Sequence, residues 1–425
     1  MKLPAADSNA TLENEEWLAI LKRRFPPDTE LERWARDLGA VSRFRGVKSA
    51  SNLLRVALTY GFCGLSMLAT GAWGHVSQVA ALSKSAIVRK LRKCRAWLEW
   101  LVAYKLGERV PAAPVAGLTI RLVDATRIAL PGSKGEAWRI HASYDPWTGR
   151  LVAVEVTDNH GGERLARFNF TPGEVVVADQ GYAHRSSLAY AAAAGARFVV
   201  RTNWKNVPLE SPDGTPFDLF AALRSLPGQT AGEFSVRIQA DESRGLPAIL
   251  CRLVACRKPP EAAQAAKDKA LKEAKKKKVQ LDPRTLEAYE YVMVLTTVEP
   301  EALDASRILA LYRLRWQVEL EFKRLKSLLN LDDVRVRNPE SVRAALAAKL
   351  LGALVVEEIA SEADRPADWS LTSILATAVR QAVFGLAGLK DWLFNTKEAA
   401  KWLNDGTRVR QPQCKVTREL LLAPS

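Results

Sequence analysis

Cysteine and histidine are scarce, with five of one and four of the other in 425 residues. Cys63, Cys94, Cys251, Cys256 and Cys414 are too scattered for a disulfide framework. Cys251 and Cys256 stand close, but the second pair that a structural zinc site needs is missing. His75, His141, His160 and His184 form no recurrent ligand pair. Long apolar runs are absent too. The longest uncharged stretch, Val56 to Ser83, is broken by Thr, Tyr, Gly, Ser, Gln and His, which suits buried helices better than a bilayer span. Asp7, Glu13, Glu15 and Glu16 make the first residues a poor secretory signal. The expectation is a cytoplasmic protein that uses no membrane.

What the chain has in excess is positive charge. It carries 62 Lys and Arg against 47 Asp and Glu, a formal net charge of +15. Apolar residues at 48% exclude a wholly disordered chain, so the excess sits on a folded surface. Such a surface favours a polyanion, and nucleic acid before lipid. The length exceeds what one ordinary core supports and implies two or three packed units.

Residues 1–110 read as helical and DNA-binding. Trp17, Ile20 and Leu21 recur at helical spacing, Pro26-Pro27 interrupts, and Leu31, Trp34, Ala35 and Leu38 resume the pattern. A further helix starts near Ser51. His75 to Leu82 followed by Ser83, an N-cap candidate, and a segment with Lys84, Arg89, Lys90, Arg92, Lys93 and Arg95 suggests two short helices of helix-turn-helix type. Strands take over in 111–202. Leu118 to Val123 alternates and stops at Asp124, and Trp138–Tyr144 and Leu151–Thr157 flank the turn Asp145-Pro-Trp-Thr-Gly149. Glu174 to Ala178 then stops at Asp179, before an Ala-rich helix and the strand Phe198–Arg201. Three antiparallel strands followed by a strand–helix–strand unit describe an α/β fold with a ribonuclease-H-like mixed sheet. A β-rich insertion with a Lys-rich segment at 275–278 occupies 203–300. That charge run reads first as a solvated helix end. The core resumes in 301–362 with a helix over about 303–329, and a helical region, 363–425, closes the chain.

On a continuous helix, Leu311, Leu314, Val318, Phe322 and Leu325 form one apolar stripe. Beside it, Tyr312, Arg315, Glu319 and Lys326 fall within a strip about 60° wide and roughly 21 Å long. A surface helix with Arg315–Glu319 and Glu319–Lys323 pairs explains this pattern cheaply, at about 0.3–0.5 kcal/mol per pair. The alternative is that Glu319 meets the two strand-end acids, Asp124 and Asp179, beyond the carboxyl ends of the sheet strands. Asp145 and Asp158 look like turn residues. Three converging carboxylates repel unless compensated, and Mg²⁺ takes such oxygen ligands. Two ions about 3.5–4 Å apart serve phosphoryl transfer, and flanking Arg and Lys hold phosphates.

Tyr312-x2-Arg315-x3-Glu319-x6-Lys326 resembles, residue for residue, the Tyr-Arg-Glu-Lys signature of bacterial insertion-sequence DDE transposases, the family of the Tn-five and Tn-ten enzymes. Val123-Asp124-Ala-Thr126 is similar to that family's first catalytic block and Ala178-Asp179-Gln-Gly181-Tyr182 to its second. The resemblance implies cut-and-paste transposition by a homodimer acting on the terminal inverted repeats of a double-stranded transposon and on target DNA. It implies Asp124, Asp179 and Glu319 as catalytic ligands of two Mg²⁺ ions, for which Mn²⁺ can substitute. Tyr312, Arg315 and Lys326 are implied to bind DNA phosphate, and the last helices to dimerise. It also places the enzyme on the bacterial nucleoid. A base-stacking aromatic in the family's insertion has no motif match here, although Trp204 and Tyr291 are near in sequence. A catalytically silent DNA-binding relative, or a ribonuclease-H-like nuclease without strand transfer, are the alternatives.

Overall fold

Pro26 and Pro27 cannot continue a helix, and the chain forms α1 (Asp7–Arg24) and α2 (Asp28–Asp37) on either side of them. The structure is a computed structural model that describes residues 7–109, 117–132, 136–362 and 369–385. Serines open the next two helices: Ser49 accepts from the Asn52 amide ahead of α3 (Ala50–Gly61), and Ser66 from the Ala69 amide ahead of α4 (Met67–Val76). The Ser83 hydroxyl accepts from Ala86 N at 3.3 Å as α5 (Lys84–Gly107) begins.

The expected pair of short helices is not what forms. α4 ends at Val76, residues 77–83 make the connection, and α5 runs 24 residues. Its buried face continues through Trp97, Leu98, Leu101 and Val102, with no breaker before Gly107. Part of its charge is used within the protein: Arg95 pairs with Glu340 at 2.8 Å, and Arg92 donates to Ser341. No helix of the described residues is long and apolar enough to cross a membrane. In the uncharged stretch after Arg55, residues 56–62 and 70–74 are buried, and Arg55 itself is buried, donating to Val383 O at 2.7 Å.

The strands are β1 (Ile120–Ala129), β2 (Glu136–Asp145), β3 (Arg150–Asp158) and β4 (Val175–Ala178), then, after α6 (Arg185–Ala193), β5 (Arg197–Arg201). β1 pairs antiparallel with β2 and β2 with β3; β4 lies parallel to β1 on one side and to β5 on the other. All four β4 residues are fully buried, which is why this strand reads as an uninterrupted apolar run. Beyond it come β6 (Leu209–Glu210), α7 (Leu219–Arg224), β7 (Gly232–Ile238), β8 (Ile249–Arg257), α8 (Pro260–Lys277), α9 (Pro283–Ala288) and β9 (Tyr291–Thr296). These strands extend the same sheet. The order is β3-β2-β1-β4-β5-β9-β8-β7-β6, nine strands in a mixed α/β arrangement. β9 covers the edge of β5 that would otherwise expose unpaired backbone groups.

The helix expected over 303–329 is two helices, α10 (Ala305–Arg313) and α11 (Trp316–Ser327). At the break the amides of Leu314, Arg315 and Gln317 each bond three residues back, to Leu311, Tyr312 and Leu314. The apolar stripe survives the break, with Leu311, Val318, Phe322 and Leu325 buried. α12 (Pro339–Ala360) and α13 (Trp369–Phe384) complete the described helices. α13 is the part of the expected C-terminal helical region that falls among the described residues; 386–425 lie outside them. Helices α1–α5, α12 and α13 belong to one compact unit, and the sheet with α6–α11 to another.

Candidate active site

The register of the sheet explains where the acids go. The parallel ladder between β1 and β4 ends at the pair Val123–Ala178. Asp179 is the next residue after β4, at the strand end its sequence suggested. Asp124 differs from expectation, since β1 does not stop there: it continues to Ala129 because β2 goes on pairing with it, Asp124 opposite Ala142. Asp124 therefore sits inside a strand, at the step where that strand loses its parallel neighbour. Both acids occupy the same end of the β1–β4 ladder.

The break between α10 and α11 supplies the rest. α10 packs on β4, β5, β8 and β9, whereas α11 packs on β1 and β2. The junction thus spans the β4–β1 boundary, and Arg315, the N-cap residue of α11, is delivered there. Its guanidinium forks between two acids, reaching Asp124 Oδ2 with Nη1 at 3.1 Å and Glu319 Oε1 with Nη2 at 2.5 Å. Arg315 Nε donates to the Tyr312 hydroxyl at 3.3 Å, and that hydroxyl donates to Asp179 Oδ1 at 3.3 Å. One cation and one phenol so tie together three carboxylates that are far apart in sequence. Glu319 lies in the first turn of α11, where the helix dipole favours an anion. Lys326 donates to the carbonyl of Arg127, three residues beyond Asp124 on β1, at 2.9 Å. Asp145 and Asp158 accept from nearby amides within their own turns.

The electrostatics follow from burial. Asp124 is pushed up to about 6, first by burial and further by the charges of Asp179 and Glu319, against the opposing Ala125 amide and Arg315. Burial would lower the Arg315 guanidinium, but Tyr312 and the three acids prevail and raise it. Burial and Asp179 together raise the Tyr312 phenol. Removing the Arg315 charge therefore exposes the acids to mutual repulsion at low local dielectric.

The donor set suits a hard divalent cation, being all carboxylate oxygen, and the acids already need a positive charge among them. In this structure Arg315 supplies it. Among the described residues no three acid, His or Cys side chains stand close enough together to hold a metal ion, and the guanidinium lies between Asp124 and Glu319. The donors fit a divalent ion in chemistry, and the cation they hold in this structure is the guanidinium of Arg315.

Residues 116–355 match the family model of the transposase DDE domain, more than half of the chain. The chain belongs to the DDE transposase family. It is 37% identical over 350 residues to InsL of insertion sequence element IS186A from Escherichia coli (strain K12), covering 81% of this chain and 94% of that protein. Over 351 residues it is 37% identical to the transposase of insertion sequence element IS421 from Escherichia coli, with the same coverage. This is an insertion-sequence transposase. A piggyBac transposase synaptic complex with hairpin DNA aligns over 99% of this chain and 86% of that one, at 8% identity and a TM-score of 0.43.

Two further groups of the transposase stand near the acids. Tyr182, from the second acidic block, is fully buried with its hydroxyl unpartnered among the described residues, and burial with the charge of Asp124 raises it. Arg201, at the end of β5, bears on Tyr312. A strand of apolar residues ending in arginine was the available sign of the latter; nothing in the sequence marks the former as unpartnered.

Proposed function

We propose that this transposase moves its insertion sequence by cut-and-paste, on a ribonuclease-H-like core with the Tyr-Arg-Glu-Lys signature. Asp124, Asp179 and Glu319 are the catalytic acids and would together hold two Mg²⁺ ions, or Mn²⁺. Ions so bound would activate the attacking oxygen and stabilise the leaving one. The observation that carries the reading is the Arg315–Tyr312 bridge, which links Asp124, Asp179 and Glu319 at one end of the β1–β4 ladder. A binding protein without chemistry gains nothing from gathering three half-buried negative charges.

The chain's own residues do the positioning. Arg315 neutralises the acids until substrate arrives and then turns its fork to a DNA phosphate, with the Tyr312 hydroxyl and Lys326 beside it. Water cleaves the strand at the terminal inverted repeat, freeing a 3′-hydroxyl for attack on target DNA. In a hairpin step, an unstacked base would enter the cavity of about 200 Å³ lined by Gln180, Trp204 and Tyr291. Arg284 and Lys205 already stand against the Trp204 ring and would have to yield. Residues 1–110 would bind the ends, 203–300 would act as the insertion of the core, and the helices from 363 would form the dimer that pairs two ends. A cytoplasmic protein held on the nucleoid by DNA follows.

Incubating purified protein with its own terminal repeats and Mg²⁺ or Mn²⁺ tests this. Nicking followed by strand transfer is expected, lost in Glu319→Gln. Metal-independent cleavage, or undiminished cleavage by Glu319→Gln, would refute it. Nicking without any strand transfer would identify a nuclease.

A further inference from the structure

The helical excursion between β8 and β9 leaves and re-enters the sheet at the end that carries the acids. Ala178 pairs with Val200 on the parallel strand β5, and Arg201 with Val294 on the antiparallel β9. The last β8 residue, Arg257, pairs with the first of β9, Tyr291. Residues 258–290 therefore emerge beside the strand ends that follow on from Asp179, about 14 Å across the sheet at the spacing of neighbouring strands. Lys258, at the exit, and Thr285, Tyr289 and Tyr291, at the return, line one cavity with Gln180, the neighbour of Asp179. α8 is fastened to this end: Lys267 pairs with Glu290 at 2.6 Å, and Lys258 Nζ donates to Tyr289 O at 2.8 Å.

Beyond that anchor the helix turns a row of lysines outward. Ala263 and Ala270 face the protein. Lys269, Lys272 and Lys276 lie on the side away from them, within a strip about 60° wide and about 10 Å long. All three are exposed, and among the described residues none has an ion-pair partner. Asp268 and Glu273 border the strip without pairing with it, and Asp268 accepts from Gln264 instead. Lysines in a last helical turn are explained by the macrodipole, which suffices for Lys275, Lys276 and Lys277. That effect fades within one turn, so it leaves Lys269 and Lys272 unexplained. Lys272 and Lys276, four apart, also repel each other slightly.

We propose that Lys269, Lys272 and Lys276 form a docking stripe for the phosphate backbone of duplex DNA running past the candidate active site, gripped without regard to sequence. This deepens the function proposed above and rests on it. Charge complementarity selects the occupant: about 10 Å of duplex presents about six phosphate charges, and three unpartnered ammonium groups over that length can displace three counterions. The stripe lies outside the acid cluster, so it holds DNA in place without entering the chemistry.

The test is the salt dependence of binding to a duplex of arbitrary sequence, by fluorescence anisotropy on the full chain, for wild type and the triple variant Lys269→Gln, Lys272→Gln, Lys276→Gln. The slope of log K against log salt should fall by about 2.7, so that raising salt from 50 to 200 mM costs wild type about 40-fold more affinity than the variant. Lysine-to-arginine replacement at the same three positions should restore the slope. An unchanged slope in a variant whose circular dichroism and melting match wild type overturns the stripe, while wild-type nicking at the terminal repeats leaves the wider function standing. A wild type that neither nicks nor binds duplex overturns that function first.

Discussion

Replacing Arg315 by alanine should convert the acid cluster from a satisfied network into a repelling one. Arg315 and Asp124 are 15% and 16% exposed at their side chains, so their pair is largely withdrawn from water, while Glu319 at 40% is screened. Breaking a fully buried pair costs about 3–5 kcal/mol; with the exposed Glu319 contributing little, about 2–3 kcal/mol is expected here. At about 2–4 °C per kcal/mol for a unit of this size, the melting temperature should drop by about 5–10 °C at pH 8. The pH dependence has a definite sign. Burial above all pushes Asp124 up to about 6 from the ordinary 3.8 of an aspartate side chain, and Arg315 holds it lower than it would otherwise be. A carboxyl raised on folding stabilises the fold when protonated, and that contribution is lost as pH rises through the folded value. Without Arg315 that value climbs further, so the variant should recover much of its stability between pH 8 and pH 6, whereas wild type changes less. Millimolar Mn²⁺ should restore the variant at pH 8 and shift wild type less, because in wild type the ion must displace a cation already in place. Differential scanning fluorimetry at both pH values, with and without Mn²⁺, reads all of this. An Arg315→Ala variant that melts with wild type at pH 8, or gains no more from Mn²⁺ than wild type does, would refute the counter-ion role.

Lys326→Ala should weaken binding of a terminal-repeat duplex several-fold and lower its salt slope by about 0.9, the signature of one lost phosphate contact; an unchanged slope would remove Lys326 from the DNA. Tyr182→Phe deletes a buried hydroxyl with no partner among the described residues, so calorimetry should find stability unchanged or raised by up to about 1 kcal/mol, and a loss beyond that would mean the hydroxyl has a structural partner. Gly352, on α12, leaves no room for a methyl group: a Cβ there would lie 2.3 Å from the Phe62 ring. Gly352→Ala should therefore destabilise the helical unit by about 1–3 kcal/mol in chemical denaturation; a wild-type midpoint would show that Phe62, the residue that follows α3, moves aside freely.

Much of the sheet was legible because burial imposes composition. Val175–Ala178 is apolar at every position since both faces are covered, and Asp145 to Gly149 turns because Gly149 takes a positive φ of 68° and Asp145 caps the bend. What could not be read depended on neighbours remote in sequence. Alternation ends at Asp124, yet β1 continues, because the backbone of β2 and not the side-chain pattern decides where the ladder ends. The 303–329 helix breaks at Arg315 with neither proline nor glycine to mark it; the two halves face different strands, and the sheet's shape sets the kink. Helical spacing did group Tyr312, Arg315, Glu319 and Lys326, but it placed them on one straight strip. In the folded chain the first two sit at a junction, and Arg315 turns inward to Asp124. The length of α5 is set by the apolar stripe through Trp97, Leu98, Leu101 and Val102, which continues past the basic first half of the helix.

The most direct measurement is an anomalous difference map from crystals of the protein grown with Mn²⁺ and a terminal-repeat duplex. Density for manganese is expected among the carboxylates of Asp124, Asp179 and Glu319, with the Arg315 side chain turned from Asp124 onto a DNA phosphate. Manganese bound elsewhere, or an Arg315 still lodged between Asp124 and Glu319 with DNA in place, would contradict it.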